Sequence, residues 1–376
     1  MDILNFISWV KGSKIVTSVD GSQTLIPVGL KDPKRDDGYL AGAISVSDLT
    51  SAFTPSFTNE NVQYGNDSYK EGNSQNKYYN TAIGWYSADN TSGYSQYSNV
   101  FIGYESGRAF QNGEGNVFIG GAVAYNGNND NYNVAVGQGS FNNVYSSSQN
   151  VALGYRAFGS NYANSSHSNI AIGNSAIEYS NNSSSNVGIG GGALTTVYGN
   201  SSDNIAIGTY AMYEAQNNSR LNVVLGNQAG RLMNSAMGNI YMGAGTAIAN
   251  YTSGDYNIGI GWECVYGITS GYNNIALGRS ASYQMTAGYN NITLGYQAGY
   301  SFTTANNNIV IGNLSGGSSA MTGSVIIGHN ATADSNSQLV IGSASSPLGT
   351  VTTESLTSTK TWTVKINGTV QKILLA

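Results

Sequence analysis

Charge is scarce in this 376-residue chain. Asp, Glu, Lys and Arg together make up 9% of it, about a third of the share usual in soluble domains. The net charge is −5, which argues against nucleic acid as a partner, since that needs a clustered basic footprint. There is one cysteine, Cys264, so no disulfide framework can form within a chain. Proline occurs four times. The two histidines, His167 and His329, lie far apart and form no metal site by themselves. No apolar run approaches the roughly 18 residues of a membrane-spanning helix. Met1–Trp9 has an acidic residue at position 2 and no basic region, so it is not expected to act as a secretory signal peptide.

What is present is glycine (49), asparagine (47) and tyrosine (27, against 9 phenylalanines). Low charge with much Gly, Asn and Ser is a composition of disordered chains. Yet 40% of the residues are hydrophobic, many of them Ile, Val and Leu in short clusters. Something is therefore buried. The clusters belong to an internal repeat, Asn–apolar–any–apolar–Gly. It reads NTAIG at Asn80–Gly84, NVFIG at Asn99–Gly103 and at Asn116–Gly120, and continues to NIVIG, which ends at Gly312. Two copies without the Asn end at Gly328 and Gly342, and a worn first copy spans Asn61–Gly65. There are seventeen copies. Their glycines are 17 to 19 residues apart up to Gly312, then 16 and 14. Such variable lengths belong in surface loops.

The two apolar positions of the motif are two residues apart and share one face of a short strand. This spacing predicts that Val100, Ile102, Val134, Ile170, Ile172, Ile205, Ile207, Ile275, Leu277, Ile309 and Ile311 form the structural core. The residue between them (Ala135, Ala171, Gly188, Val224) then points outward. It is never charged between Gly84 and Gly342, which predicts a sheet covered on both faces. The glycine predicts a corner with positive φ. Three residues later a small residue recurs (Ala157, Ala176, Ala193, Ala211), a second tight layer. The Asn is expected to bond local backbone and to stack with its own copies in neighbouring coils. The period suits a solenoid of two short strands and two turns per coil, about 80 Å long at ~4.8 Å per coil. Its core is thin, and the uncharged outward position predicts chains that cover one another.

NIAIG followed by a small residue three positions on resembles the head repeats of trimeric autotransporter adhesins and of bacteriophage tail fibres. The resemblance covers about Asn61–Ser343. It implies an all-β fold: a left-handed parallel β-roll of about 17 coils, three chains side by side about one axis. This sequence departs from the autotransporters in its longer unit, and neither a signal peptide nor a C-terminal membrane-anchor barrel is expected from it. These departures favour the tail-fibre branch.

Three segments are expected. Residues 1–58 hold 11 charges in their first 50 positions. They read as a small N-terminal domain: a short helix over Met1–Val10, a hairpin of Ile15–Val19 and Thr24–Val28 about Asp20-Gly21, and a strand over Ala43–Val46. They resemble virion-docking segments of phage fibres. Residues 59–345 form the repeat shaft. Residues 346–376 end in a hairpin, Thr361–Ile366 and Thr369–Leu375 about Asn367-Gly368, read as a cap.

No catalytic constellation emerges. Gly188-Ile189-Gly190-Gly191-Gly192 resembles a phosphate loop only loosely and falls in register with the repeat. Cys264 occupies the small-residue position and reads as a buried hydrophobe. The acidic residues follow no phase. The chain is therefore read as no enzyme, with no cofactor or metal. Tyr79, Tyr132, Tyr256, Tyr272 and Tyr289 stand just before the repeat Asn, where tyrosines stack on one another or on sugars. The expected function is that of a trimeric phage tail fibre in the virion. Its expected partners are two further copies, other tail proteins through the N-terminal domain, and a host-surface glycan or protein, with no nucleic acid and no membrane insertion. A bacterial cell-surface adhesin and a fibre-borne polysaccharide depolymerase are the alternatives. The receptor-binding residues are not legible.

Overall fold

The computed structural model describes residues 25–30, 40–45, 56–58, 61–65, 77–89, 95–159, 163–248, 251–347, 361–366 and 369–374. Among them there is no helix; every element is a strand. Seventeen three- or four-residue strands, from Asn61–Tyr64 to Leu339–Ile341, stack in parallel and in register, one from each repeat. Val100 pairs with Val117, Phe101 with Phe118 and Ile102 with Ile119, and the same phase holds to Val325↔Leu339. Ser56–Thr58 pairs antiparallel with the first strand. No pairing joins Ser56–Thr58 to Leu339–Ile341, so the sheet is an open ladder. Patchy parallel ladders run elsewhere on the coil, for example Tyr179–Ser180, Thr196–Val197, Glu214–Gln216 and Leu232–Asn234. The fold is a parallel β-solenoid.

The repeat residues have separate duties. The repeat glycines from Gly65 to Gly328 have φ of 129° to 146°, a region that side chains avoid. A Cβ on Gly173 would also stand 2.6 Å from the carbonyl oxygen of Gly190, the next glycine of the column. The repeat asparagines are buried and form one continuous amide ladder. Asn99 Nδ2 donates to Asn80 Oδ1 (3.1 Å) and to the Gly113 carbonyl (2.9 Å), and Asn80 Oδ1 also accepts the Asn99 N–H (2.9 Å). This pattern continues to Asn308, whose Oδ1 accepts the Ser324 N–H. Each amide is thereby satisfied without water, as burial requires. The small-residue column is buried too. Where it carries a hydroxyl, that group donates to a carbonyl, as Ser106 does to Phe118 (3.1 Å).

The core corrects the expected facing of the strand. Within one chain the middle residue of each strand is buried: Phe101, Ala135, Ala171, Ala206, Ala276 and Val310 are fully enclosed. The predicted core residues Val100, Ile102, Ile172 and Ile275 are only half-buried, and Val134, Ile170, Ile205, Ile207, Leu277, Ile309 and Ile311 are exposed. The reason is space. A coil this small cannot enclose two β-branched side chains per strand. It encloses the middle residue together with the residue four after the repeat glycine, and these two share a fixed volume. In several coils a small middle residue accompanies a large partner, as in Ala135 with Phe141, Ala152 with Phe158 and Ala206 with Met212, while Ala82 with Ala88 and Ala276 with Ser282 pair two small residues. Large middle residues accompany alanine, as in Phe118 with Ala124 and Tyr241 with Ala247, or glycine: a Cβ on Gly107 would collide with the Phe101 ring, and one on Gly299 would meet Thr293 Cγ2 at 2.7 Å. Filling this core puts Ile177 (φ 47°) and Val265 (φ 43°) in the left-handed region, at ~1–2 kcal/mol each. Gly188 and Gly259 make room for them; their Cβ atoms would stand 2.9 Å from Ile177 Cγ1 and 2.7 Å from Val265 Cγ2.

At the ends, Leu25–Leu30 pairs antiparallel with Leu40–Ser45. The strand read near Thr24–Val28 thus has Leu40–Ser45 as its described partner; the proposed partner Ile15–Val19, the turn Asp20-Gly21 and the helix over Met1–Val10 lie outside the described residues. The C-terminal hairpin strands Thr361–Ile366 and Thr369–Leu374 pair antiparallel, with Ile366 opposite Thr369; the turn read at Asn367-Gly368 lies outside the described residues.

Candidate functional site

The outward face of the main ladder is the most distinctive surface of the chain. It carries two columns: the residue after each repeat Asn and the residue before each repeat Gly. The first runs Val62, Thr81, Val100 and on through Ile275 and Ile309 to Leu339. The second runs Tyr64, Ile83, Ile102 and on through Leu277 and Ile311 to Ile341. No position in either column is charged, and only Thr81 and Tyr64 bear a hydroxyl. The members of these columns range from half-buried, as Val100 and Ile102 are, to exposed, as Ile205 (37%) and Ile207 (40%) are. Sixteen spacings of ~4.8 Å make the stripe about 77 Å long. Soluble monomers rarely expose contiguous apolar patches above a few hundred Å².

Aromatic residues flank this stripe at the corner after the repeat glycine. Trp85, Tyr104, Tyr155, Trp262 and Tyr296 are exposed there. The Arg279 guanidinium lies 4.3 Å from the centre of the Trp262 ring and 5.8 Å from that of Tyr296, a cation–π arrangement. Other tyrosines stack on their own copies. Tyr272 and Tyr289 are 5.0 Å apart at 5°, and Tyr266, Tyr283 and Tyr300 follow at 4.8 and 5.1 Å. Inner rings of such stacks offer edges to a ligand, not faces. Tyr132 and Tyr256 instead lie over glycines of the preceding coil: a Cβ on Gly115 or Gly238 would stand 2.7 Å from the ring.

The remaining singled-out residues are structural. The Cys264 thiol is enclosed and donates to the Ala276 carbonyl (3.1 Å); burial pushes its pKa up to about 12, so it stays a thiol. His167 Nδ1 accepts the Ser148 N–H (3.1 Å), and His329 Nε2 lies 3.1 Å from Asn330 Nδ2. In the Gly188–Gly192 segment, Gly190 is the corner, Gly188 faces Ile177 and Gly192 lies under the Tyr210 ring. Among the described residues no group of three or more His, Cys, Asp or Glu side chains is placed to hold a metal ion. No helix there is long and apolar enough to cross a membrane. One buried carboxyl stands out. Asp130 accepts the Ser147 N–H (2.8 Å) and the Asn128 N–H (3.0 Å), and burial raises its pKa well above the usual carboxylate range despite these bonds.

No protein-family model, curated protein or solved structure matches this chain. The reading of its function therefore rests on the ladder and its surroundings. Sequence reasoning found the residues of the stripe and assigned them to the inside of a single chain. The signal that reverses the assignment was available: phenylalanine, tyrosine, alanine and glycine all occur at the middle position, and in many coils the residue six positions on compensates in size, as Gly107 does for Phe101 and Phe141 for Ala135.

Proposed function

We propose that the chain is one subunit of a homotrimeric fibre, and that the two-column apolar stripe is the surface by which three copies meet. The single observation behind this reading is that stripe. It is uncharged over all seventeen strands, and water contact along such a surface is unfavourable by about 25 cal/mol per Å². A stripe two columns wide, some 7 Å from one column to the other, suits a narrow three-sided core about an axis. A two-sheet sandwich would require a broader apolar face. Copies in register would place like strands at one level, so each coil would meet its own counterparts.

The resemblance of the repeat to phage tail-fibre and adhesin heads supports the rest of the reading. We assign the fibre to a bacteriophage virion, held to the particle through residues 1–58 and turned toward the host surface along its shaft and far end. Deleting residues 1–58 is expected to leave a soluble trimer that adheres to host cells and no longer joins particles. A truncated trimer that still assembles onto particles, combined with loss of assembly when residues 346–376 are removed, would reverse the polarity. The proposed role is structural and adhesive rather than catalytic. Release of reducing sugar from host-surface polysaccharide by the pure protein would overturn that part.

A further inference from the structure

The repeat glycines are required by the backbone; Gly139 is not. It lies two residues after a repeat glycine, at φ 64°. Other coils fill this left-handed position with Glu105, Arg156, Ser175 or Gln228 at nearly the same φ. A Cβ on Gly139 would meet only Arg156 Cγ, at 3.6 Å, an ordinary contact. The missing side chain thus leaves open space that the fold does not need. Together with Ala122 one coil earlier, it forms a notch of about 270 Å³ across three coils.

The chemistry of the notch is specific. Its walls are Gln138, Asn142, Asn143, Tyr155 and Arg156. The Arg156 Nε lies 3.3 Å from the buried Glu178 carboxylate, which fixes the guanidinium and cancels its charge while leaving its terminal nitrogens. The Asn142 side-chain oxygen is shielded from solvent and has no hydrogen-bond partner. The Tyr155 ring is half-exposed and supplies an apolar wall. Amides that both donate and accept, a held guanidinium and one aromatic face are groups that recognise vicinal hydroxyls on a compact apolar frame. The volume lies just below the usual range for small-ligand sites, ~300–1,000 Å³, which limits the occupant to about one sugar ring.

We propose that this notch binds one neutral hexose unit of a surface glycan. The Arg156–Glu178 pair leaves no net charge to attract an acidic or basic sugar. The inference rests on the reading of the chain as an adhesive fibre and locates a contact point on it. Saturation-transfer NMR on the full chain tests it, with the methyl glycosides of glucose, galactose and mannose as neutral probes and those of glucuronic acid and glucosamine as charged ones. At least one neutral glycoside is expected to bind. Gly139→Arg, which copies the next coil, and Tyr155→Ala should each weaken that binding tenfold or more, and Gly139→Arg should lower the melting temperature by only a few degrees, the cost of one more side chain at left-handed φ. No signal from any neutral glycoside, a stronger signal from a charged one, or binding that survives both substitutions would overturn the proposal. Adhesion of the labelled protein to host cells is measured separately. Sugar binding that both substitutions abolish, in a protein that adheres to no cell, would uphold the notch and remove the host-attachment reading.

Discussion

At the residue scale the solenoid is governed by pairs rather than by single positions. Phe101 with Gly107 and Ala135 with Phe141 are opposite solutions to one volume constraint. Gly107→Phe alone is therefore expected to overpack the coil and cost ~3 kcal/mol or more, since even small insertions into a filled core cost ~1–3 kcal/mol. The swap Phe101→Ala with Gly107→Phe reproduces the later arrangement and should melt within a few degrees of the parent. Thermal unfolding followed by circular dichroism decides this; two variants equally unstable would contradict the shared-volume account. Asp130 offers a second test. It stands in a column that later coils fill with the buried serines Ser147, Ser166 and Ser183. Its folded pKa is raised by burial, so the native state holds this proton more tightly than the unfolded chain does. The contribution is fully present below the unfolded pKa of ~3.9 and declines as pH rises through the folded value. Asp130→Ser should then raise the melting temperature at pH 7 more than at pH 4. A gain that is the same at both pH values would refute it.

At the element scale each strand is a three-residue unit with one enclosed position and two outward ones. Ala171→Asp buries an unpaired charge inside the coil, at several kcal/mol, and should abolish the fold of the chain. Ile172→Asp places the charge on the outward stripe and should weaken association instead, keeping the β-sheet spectrum at high protein concentration and losing it on dilution. Comparing the circular dichroism and sedimentation of the two variants separates these effects; identical behaviour would mean that the two faces are not distinct. The strand, its glycine corner, the asparagine ladder and the small layer were all legible in the sequence, because backbone geometry and buried amides restrict residue type directly. The facing of the strand was not. Both faces of NIAIG are apolar, so alternation carries no inward or outward sign, and the larger β-branched residues naturally suggest the interior. The coil's small cross-section decides otherwise. The notch was not legible either. A glycine that is dispensable to its backbone looks like any other in a chain with 49 of them.

At the scale of the whole molecule the coils differ in what fills them, while the ladder stays constant. Phe101, Phe110, Phe118, Phe141 and Phe158 form a continuous aromatic spine, with successive ring centres 5.3 to 5.7 Å apart. Later coils rely on alanine, methionine and valine inside and on stacked tyrosines outside. The asparagine ladder and the outward stripe run through both regions unchanged. The end strand Leu339–Ile341 differs from the rest: its middle residue is only half-buried and Leu339 is 69% exposed. Association that covered the stripe would supply the apolar burial that a thin coil cannot supply alone. Folding and assembly are then expected to be coupled, with a melting temperature that rises with protein concentration.

Equilibrium sedimentation of the purified full chain at micromolar concentration tests the central claim most directly. The account predicts a single species with three times the 39.3 kDa chain mass. A folded, stable monomer that remains soluble with its stripe facing water would contradict it.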